Sequence, residues 1–171
     1  MTRIYVGPTT LYALGQVGEL DLLQSFDGRL VIPDVVQSAV TTEPARSALE
    51  SFLDDTDVST AVPNAAYEQA TGVVGIEGGT HEAAMLAGVV AHFDPDDRHA
   101  VAVVSEDRRV RRIAEGLGGA VTSSFGVVAR AAAEDKYLSR SQARRIVRRI
   151  DANGIQMTGE IRSKAVGAVG E

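Results

Sequence analysis

Apolar and polar positions alternate over Arg3–Val6, and the run stops at Gly7-Pro8. That is the signature of a short strand ended by a turn. Thr9–Leu14 and Gly18–Gln24 read as short helices, Arg29–Ile32 as a second strand stopped by Pro33, and Asp34–Val40 as a further helix. Thr42-Glu43-Pro44 places a proline at a helix start and leads into Ala45–Leu53. Asp54–Gly79 is rich in Asp, Pro, Asn and Gly, and predicts a loop with short elements. Thr80 then caps a helix over about 81–93 with apolar Ala84, Leu86, Ala87, Val90 and Ala91. Ala100–Val104 is a near-continuous apolar run, as expected of a strand covered on both faces. Asp107–Glu115 predicts a helix ended by glycines, Ala120–Thr122 a last short strand, and Phe125–Asp135, Ser141–Asp151 and Thr158–Val169 three closing helices.

Strands thus alternate with helices, which predicts a three-layer α/β/α domain with a central parallel sheet. The 171 residues suit one domain spanning 1–171, with the helices from about 139 to 171 as a C-terminal extension packed on it. No repeat, low-complexity tract or linker interrupts it.

Composition narrows the classes. The chain is 44% hydrophobic and 23% charged, an ordinary balance for a chain with a sizeable core. No apolar run approaches the ~18 residues of a membrane helix, and MTRIYVG lacks the basic-then-apolar order of a secretory signal. There are no cysteines, so disulfides and thiolate metal sites are excluded, in keeping with a cytoplasmic location. Net charge is −6, which by itself disfavours a phosphate backbone. The cations are distinctive, however: 15 Arg against 2 Lys, with eight of the Arg in two clusters, Arg108–Arg112 and Arg144–Arg149.

Functional side chains of open parallel sheets gather beyond the C-terminal ends of the strands. That rule selects Gly7-Pro8-Thr9 after the first strand and Ser105-Glu106-Asp107 after the buried one, with Glu82 in the first turn of the helix after Thr80. Three converging carboxylates would repel one another until a hard cation such as Mg²⁺ or Mn²⁺ joined them. Such an ion activates water and offsets charge on a phosphodiester. Each acid also has a plainer role, since acids favour helix N-termini and Ser105 or Asp107 suits an N-cap.

The segments IYVGPTTLYALGQVGELDLLQSF and RLVIPDVV resemble the opening of PIN-domain proteins: a strand, Asp-x-Ser/Thr, a short helix, then a strand and Pro. GGTHEAAMLAGVV resembles their central helix, which opens with an acid. VAVVSEDRRVRRIAEGLGGAVTSSFGVVARAAAEDKYLS resembles the strand, acidic pair, Arg-rich helix, short strand and helix that follow. The resemblance covers most of the chain outside 54–75 and implies metal-dependent cleavage of RNA, often by toxin ribonucleases. By that resemblance Glu82, Glu106 and Asp107 are the catalytic and metal-holding acids, with Mg²⁺ or Mn²⁺ as cofactor, and Thr9, Arg108, Arg109 and Arg112 position the RNA. Two family acids are absent: the one ending the first strand falls on Gly7, and the one in the helix after Pro33 on Ala39. Asp34 and Glu43 lie nearby but in neither place.

Arg108, Arg111 and Arg112 share a helical face by spacing, beside the acidic pair, where phosphates would arrive. Arg144, Arg145, Arg148 and Arg149 form a second stripe opposite Ala143, Ile146, Val147 and Ile150. His81, His92 and His99 lack zinc-type spacing, and Gly75, Gly78 and Gly79 match no phosphate-loop pattern. No GxSxG nucleophile elbow occurs.

Three readings follow. One is a cytoplasmic PIN-like endoribonuclease cleaving single-stranded RNA. The second is a PIN-like module that has lost catalysis and binds RNA or a protein in a regulatory role. The third is an unrelated small-molecule domain with an apolar pocket at the sheet edge. The resemblance implies RNA as a partner, a protein inhibitor or antitoxin as another, and a homodimer as a possible assembly, with no membrane.

Overall fold

A computed structural model describes residues 1–133 and 138–153 of the chain. The helix expected over Thr158–Val169 lies outside the described residues. Four strands form one parallel sheet in the order β2-β1-β3-β4: β1 Thr2–Val6, β2 Gly28–Val31, β3 Val101–Val104 and β4 Ala120–Thr122. β1 is central, paired with β2 from Thr2↔Gly28 to Tyr5↔Val31 and with β3 from Arg3↔Val101 to Val6↔Val104. A parallel bridge from Val31 to Ser59 extends the sheet beyond β2. The chain leaves β1 toward one edge and returns at β3 to run toward the other. The strand order therefore reverses between β1 and β3, and a parallel sheet opens a crevice at the C-terminal ends of such a pair.

The first half carries α1 (Pro8–Gln16), a 3₁₀ turn (Leu20–Ser25), α2 (Asp34–Ala39) and α3 (Ala45–Asp55). Then come α4 (Asn64–Val74) and α5 (His81–His92), followed by α6 (Arg108–Gly116), α7 (Ser124–Ala133) and α8 (Arg140–Ala152). The three-layer α/β/α expectation holds. The loop expected over Asp54–Gly79 instead contains α4, an eleven-residue helix. Only Ala66 and Ala70 of α4 are buried, against α5, so its apolar stripe is too thin to stand out in the pattern.

α5 is the opposite case, buried at every position from Ala83 to Val89. Such a helix reads as apolar all round and packs inside the fold. Thr80 caps it by accepting from the Ala83 N–H at 3.2 Å. α5 lies against β1 and β3, and comes close because residue 88 is glycine: a Cβ there would overlap the Tyr5 ring. On the other face of the sheet, Ile4 and Ala102 line a hollow together with Phe26 and with Arg130 of α7, and α7 packs on β4 and the 3₁₀ turn. α8 buries Ala143, Ile146, Val147 and Ile150 against α7 and α1, and a Ser139–Gln142 capping box starts it. At about 1.5–3 kcal/mol for each large apolar side chain buried, this seam holds α8 to the domain.

Candidate functional site at the strand-order reversal

Five polar or charged residues are buried among the described residues: Thr10, Ser105, Arg111, Ser123 and Ser124. Four follow the C-terminal ends of β1, β3 and β4, and the fifth reaches back to that rim from α6. Local hydrogen bonding explains most of the arrangement. Ser105 continues the ladder by donating its N–H to Thr122 O at 3.0 Å, and its Oγ accepts from the Asp107 N–H at 3.1 Å. Asp107 is the N-cap of α6: its Oδ1 accepts from the N–H groups of Arg109 at 2.8 Å and Val110 at 3.2 Å. The capping role set beside the functional one for Asp107 is thus in place.

Glu106 points the other way. Its Oε1 accepts from Thr10 Oγ1 at 3.1 Å and from the Ser124 N–H at 2.6 Å, so one carboxylate joins the first turns of α1 and α7. Its Oε2 is buried with no hydrogen-bond partner, and so is Ser124 Oγ. Arg111 runs beneath the same turn, only 9% exposed, and its Nη1 donates to Ser105 O at 2.6 Å. Burial pulls its pKa down, while Glu106 and then Asp107 favour its charged form.

The end of β1 differs. Gly7 N–H donates to Val104 O at 2.8 Å, which holds the two strand ends together. A Cβ on Gly7 would lie 3.2 Å from both Sδ and Cε of Met85. Met85, on α5 and 1% exposed, therefore packs closely on position 7, and its thioether end would have to give by a few tenths of an ångström to admit any side chain there. Thr9 is exposed, and it is its neighbour Thr10 that reaches Glu106. Ala39 is exposed on α2. Glu82 lies in the first turn of α5, with Oε1 3.3 Å from His81 Nε2.

Of the acids expected to converge, Glu106 turns to α1 and α7, Asp107 to its own helix and Glu82 to His81. Among the described residues no three His, Asp or Glu side chains come together in a way that could hold a metal ion. Arg108, Arg109 and Arg112 are exposed and, with Ile113, line an open hollow of about 540 Å³. The shared face expected of Arg108, Arg111 and Arg112 is corrected here. Arg111 is buried, because it sits three residues before buried Ala114 on the inner side of α6. Thr10, Ser123 and Ser124 also follow strand ends, and the strand-end rule reaches them as it reaches Glu106. Met85, inside an apolar helix, carried no signal.

The sequence profile of a family described as a PIN domain matches residues 6–171. The chain belongs to the PIN-domain family. Neither a curated protein nor a solved structure matches it significantly.

Divalent ions are the general cofactor of PIN domains. A hard cation takes about six oxygens or more and leans on several carboxylates. This rim offers one half-engaged carboxylate at Glu106, a helix cap at Asp107, and a thioether beside Gly7. That donor set does not fit a resident divalent ion. No helix among the described residues is long and apolar enough to cross a membrane.

Proposed function

We propose that this PIN domain is a non-hydrolytic module that binds single-stranded RNA in a regulatory role. The observation that carries the reading is the contrast at one rim: Met85 fills the ground beside Gly7, while Arg108, Arg109 and Arg112 line an open hollow one helix away. Guanidinium groups make paired hydrogen bonds to phosphate oxygens, and a shallow basic hollow suits a backbone that needs no base readout.

The test is fluorescence anisotropy with a labelled single strand, read alongside gels for cleavage in Mg²⁺ and Mn²⁺. Binding is expected to weaken with salt at a logarithmic slope of about −2 for three phosphate contacts, and each Arg→Ala change in the hollow to reduce that slope by about 0.7. No cleavage is expected. Absence of binding at about 50 mM salt would remove RNA and leave a protein partner, such as an inhibitor or antitoxin, or a second copy of the chain.

One observation favours the hydrolytic reading: Glu106 keeps a buried oxygen without a partner. A metal-dependent endoribonuclease using Glu82, Glu106 and Asp107 with Mg²⁺ or Mn²⁺ would require Asp107 to leave its cap and Glu82 its histidine. RNA cleavage lost in Glu106→Gln and Asp107→Asn would establish that reading over the first.

A further inference from the structure

The net charge of −6 hides a separation along the chain. Residues 1–107 hold 17 of the 23 acids and four of the 17 Lys and Arg. Residues 108–153 reverse the balance, with ten Arg and one Lys against four acids. The fold turns this into a separation in space. β1, β2, β3 and α1–α5 come from the first set, and α6, β4, α7 and α8 from the second. β4 is the edge strand, so the cations gather at one end of the sheet. α6, beside α5, packs on β4 from one face; α7 packs on it from the other, and α8 packs on α7. We propose that single-stranded RNA follows this end of the molecule from the α6 hollow, over the β4 edge, to α8. The inference rests on the RNA-binding reading above and lengthens its footprint.

α8 exposes Arg140, Arg144, Arg145, Arg148 and Arg149, and Asp151 is the only acid in the helix. Like charges recur four residues apart, at Arg140, Arg144 and Arg148 and again at Arg145 and Arg149, a spacing that weakens a helix. The buried seam and the capping box hold α8 in place against that repulsion. A polyanion relieves it, and meets guanidinium groups already set in rows about 6 Å apart. Between α6 and α8 the charge is carried by Arg130, the one charged residue of β4 and α7. Its guanidinium lies 5.2 Å from the centroid of the Phe26 ring. Both residues line a hollow of about 360 Å³ between β4 and α7, with Thr122, Gly126 and Ala129, and no lining residue is acidic. An acidic helix of a partner protein would satisfy α8 alone. Two rows of cations with an apolar, aromatic-lined hollow between them fit a strand whose phosphates meet cations while its unstacked bases leave water.

Fluorescence anisotropy of the full chain in EDTA, with labelled strands of roughly 6 and roughly 24 nucleotides, tests this. The short strand cannot leave the α6 hollow and should keep a logarithmic salt slope of about −2; the long strand should show about −4, for roughly six phosphate contacts. Arg145→Gln/Arg148→Gln should reduce the long-strand slope by about 1.4 and leave the short strand unchanged. Arg46→Gln/Arg98→Gln removes the same charge from the acidic end and should change neither slope. The α8 pair should unfold at the wild-type temperature or above, since it relieves repulsion within one helix; a fall would make the stripe structural and overturn the proposal. Equal slopes for the two strands, or an α8 effect no larger than that of the control pair, would also overturn it while leaving RNA at the α6 hollow. If neither strand binds, the functional reading falls and this inference with it.

Discussion

β1 and β3 end side by side, tied by the bond from Gly7 N–H to Val104 O, yet their ends have opposite chemistry. After β3 come Ser105, Glu106 and Asp107, each with a hydrogen-bonding role, and a buried arginine beneath them. After β1 comes a glycine with a methionine thioether against it. Here the β1 end carries no acid, while the acids of the β3 end accept hydrogen bonds from Thr10 and from backbone N–H groups at the starts of α6 and α7.

The largest effect is expected from putting the acid back. Gly7→Asp should force a carboxylate against Met85 and lower stability by about 3 kcal/mol, a fall of roughly 6–12 °C in thermal midpoint. Met85→Ala in the same chain should recover part of that loss by giving the carboxylate room. If Gly7→Asp alone is neutral, the β1 end is not closed as described. Next, Glu106→Ala should cost about 2 kcal/mol in denaturant unfolding, because it strips an acceptor from the buried Ser124 N–H and from Thr10 Oγ1. Glu106→Gln keeps an acceptor oxygen and should cost less. Asp107→Ala should cost about 1 kcal/mol as a lost cap, with Asp107→Ser restoring most of it. A cost for Asp107→Ser equal to that for Asp107→Ala would mean that the cap is not what the acid contributes.

The smallest effect lies behind the β1 end, where His92 stacks on Tyr5 with ring centroids 6.3 Å apart. Partial burial, and then Arg3, pull the His92 pKa below its ordinary value of 6.5. The unfolded chain therefore binds this proton more readily than the folded one. Stability should be full above pH 6.5 and decline as pH falls through the window between 6.5 and the lower folded value. His92→Gln should flatten that part of the profile, and an unchanged profile would assign it to other groups.

The sheet and most helices were legible because their burial is periodic or continuous. Ala100–Val104 reads as a strand covered on both faces, and Ala143, Ile146, Val147 and Ile150 as the core-facing side of α8. α4 was not legible, since two buried alanines do not mark a face. The acids were legible as residue types at strand ends, but not as contacts. Nothing in the spacing of Glu106 says that its oxygen meets Ser124, eighteen residues on, or that Asp107 prefers its own helix. Arg111 misled for a related reason: spacing groups it with Arg108 and Arg112, and only packing shows the inner edge of that arc to be covered.

The missing side chain at Gly88 sets how low α5 rides over the sheet. The aromatic plane of Tyr5 takes the room a methyl would occupy, and Met85 is one turn earlier on the same helix. The height of that helix and the seating of the thioether beside Gly7 are therefore one adjustment. A single methyl added at position 88 would overlap the Tyr5 ring and force the helix that carries Met85, or the ring itself, to move.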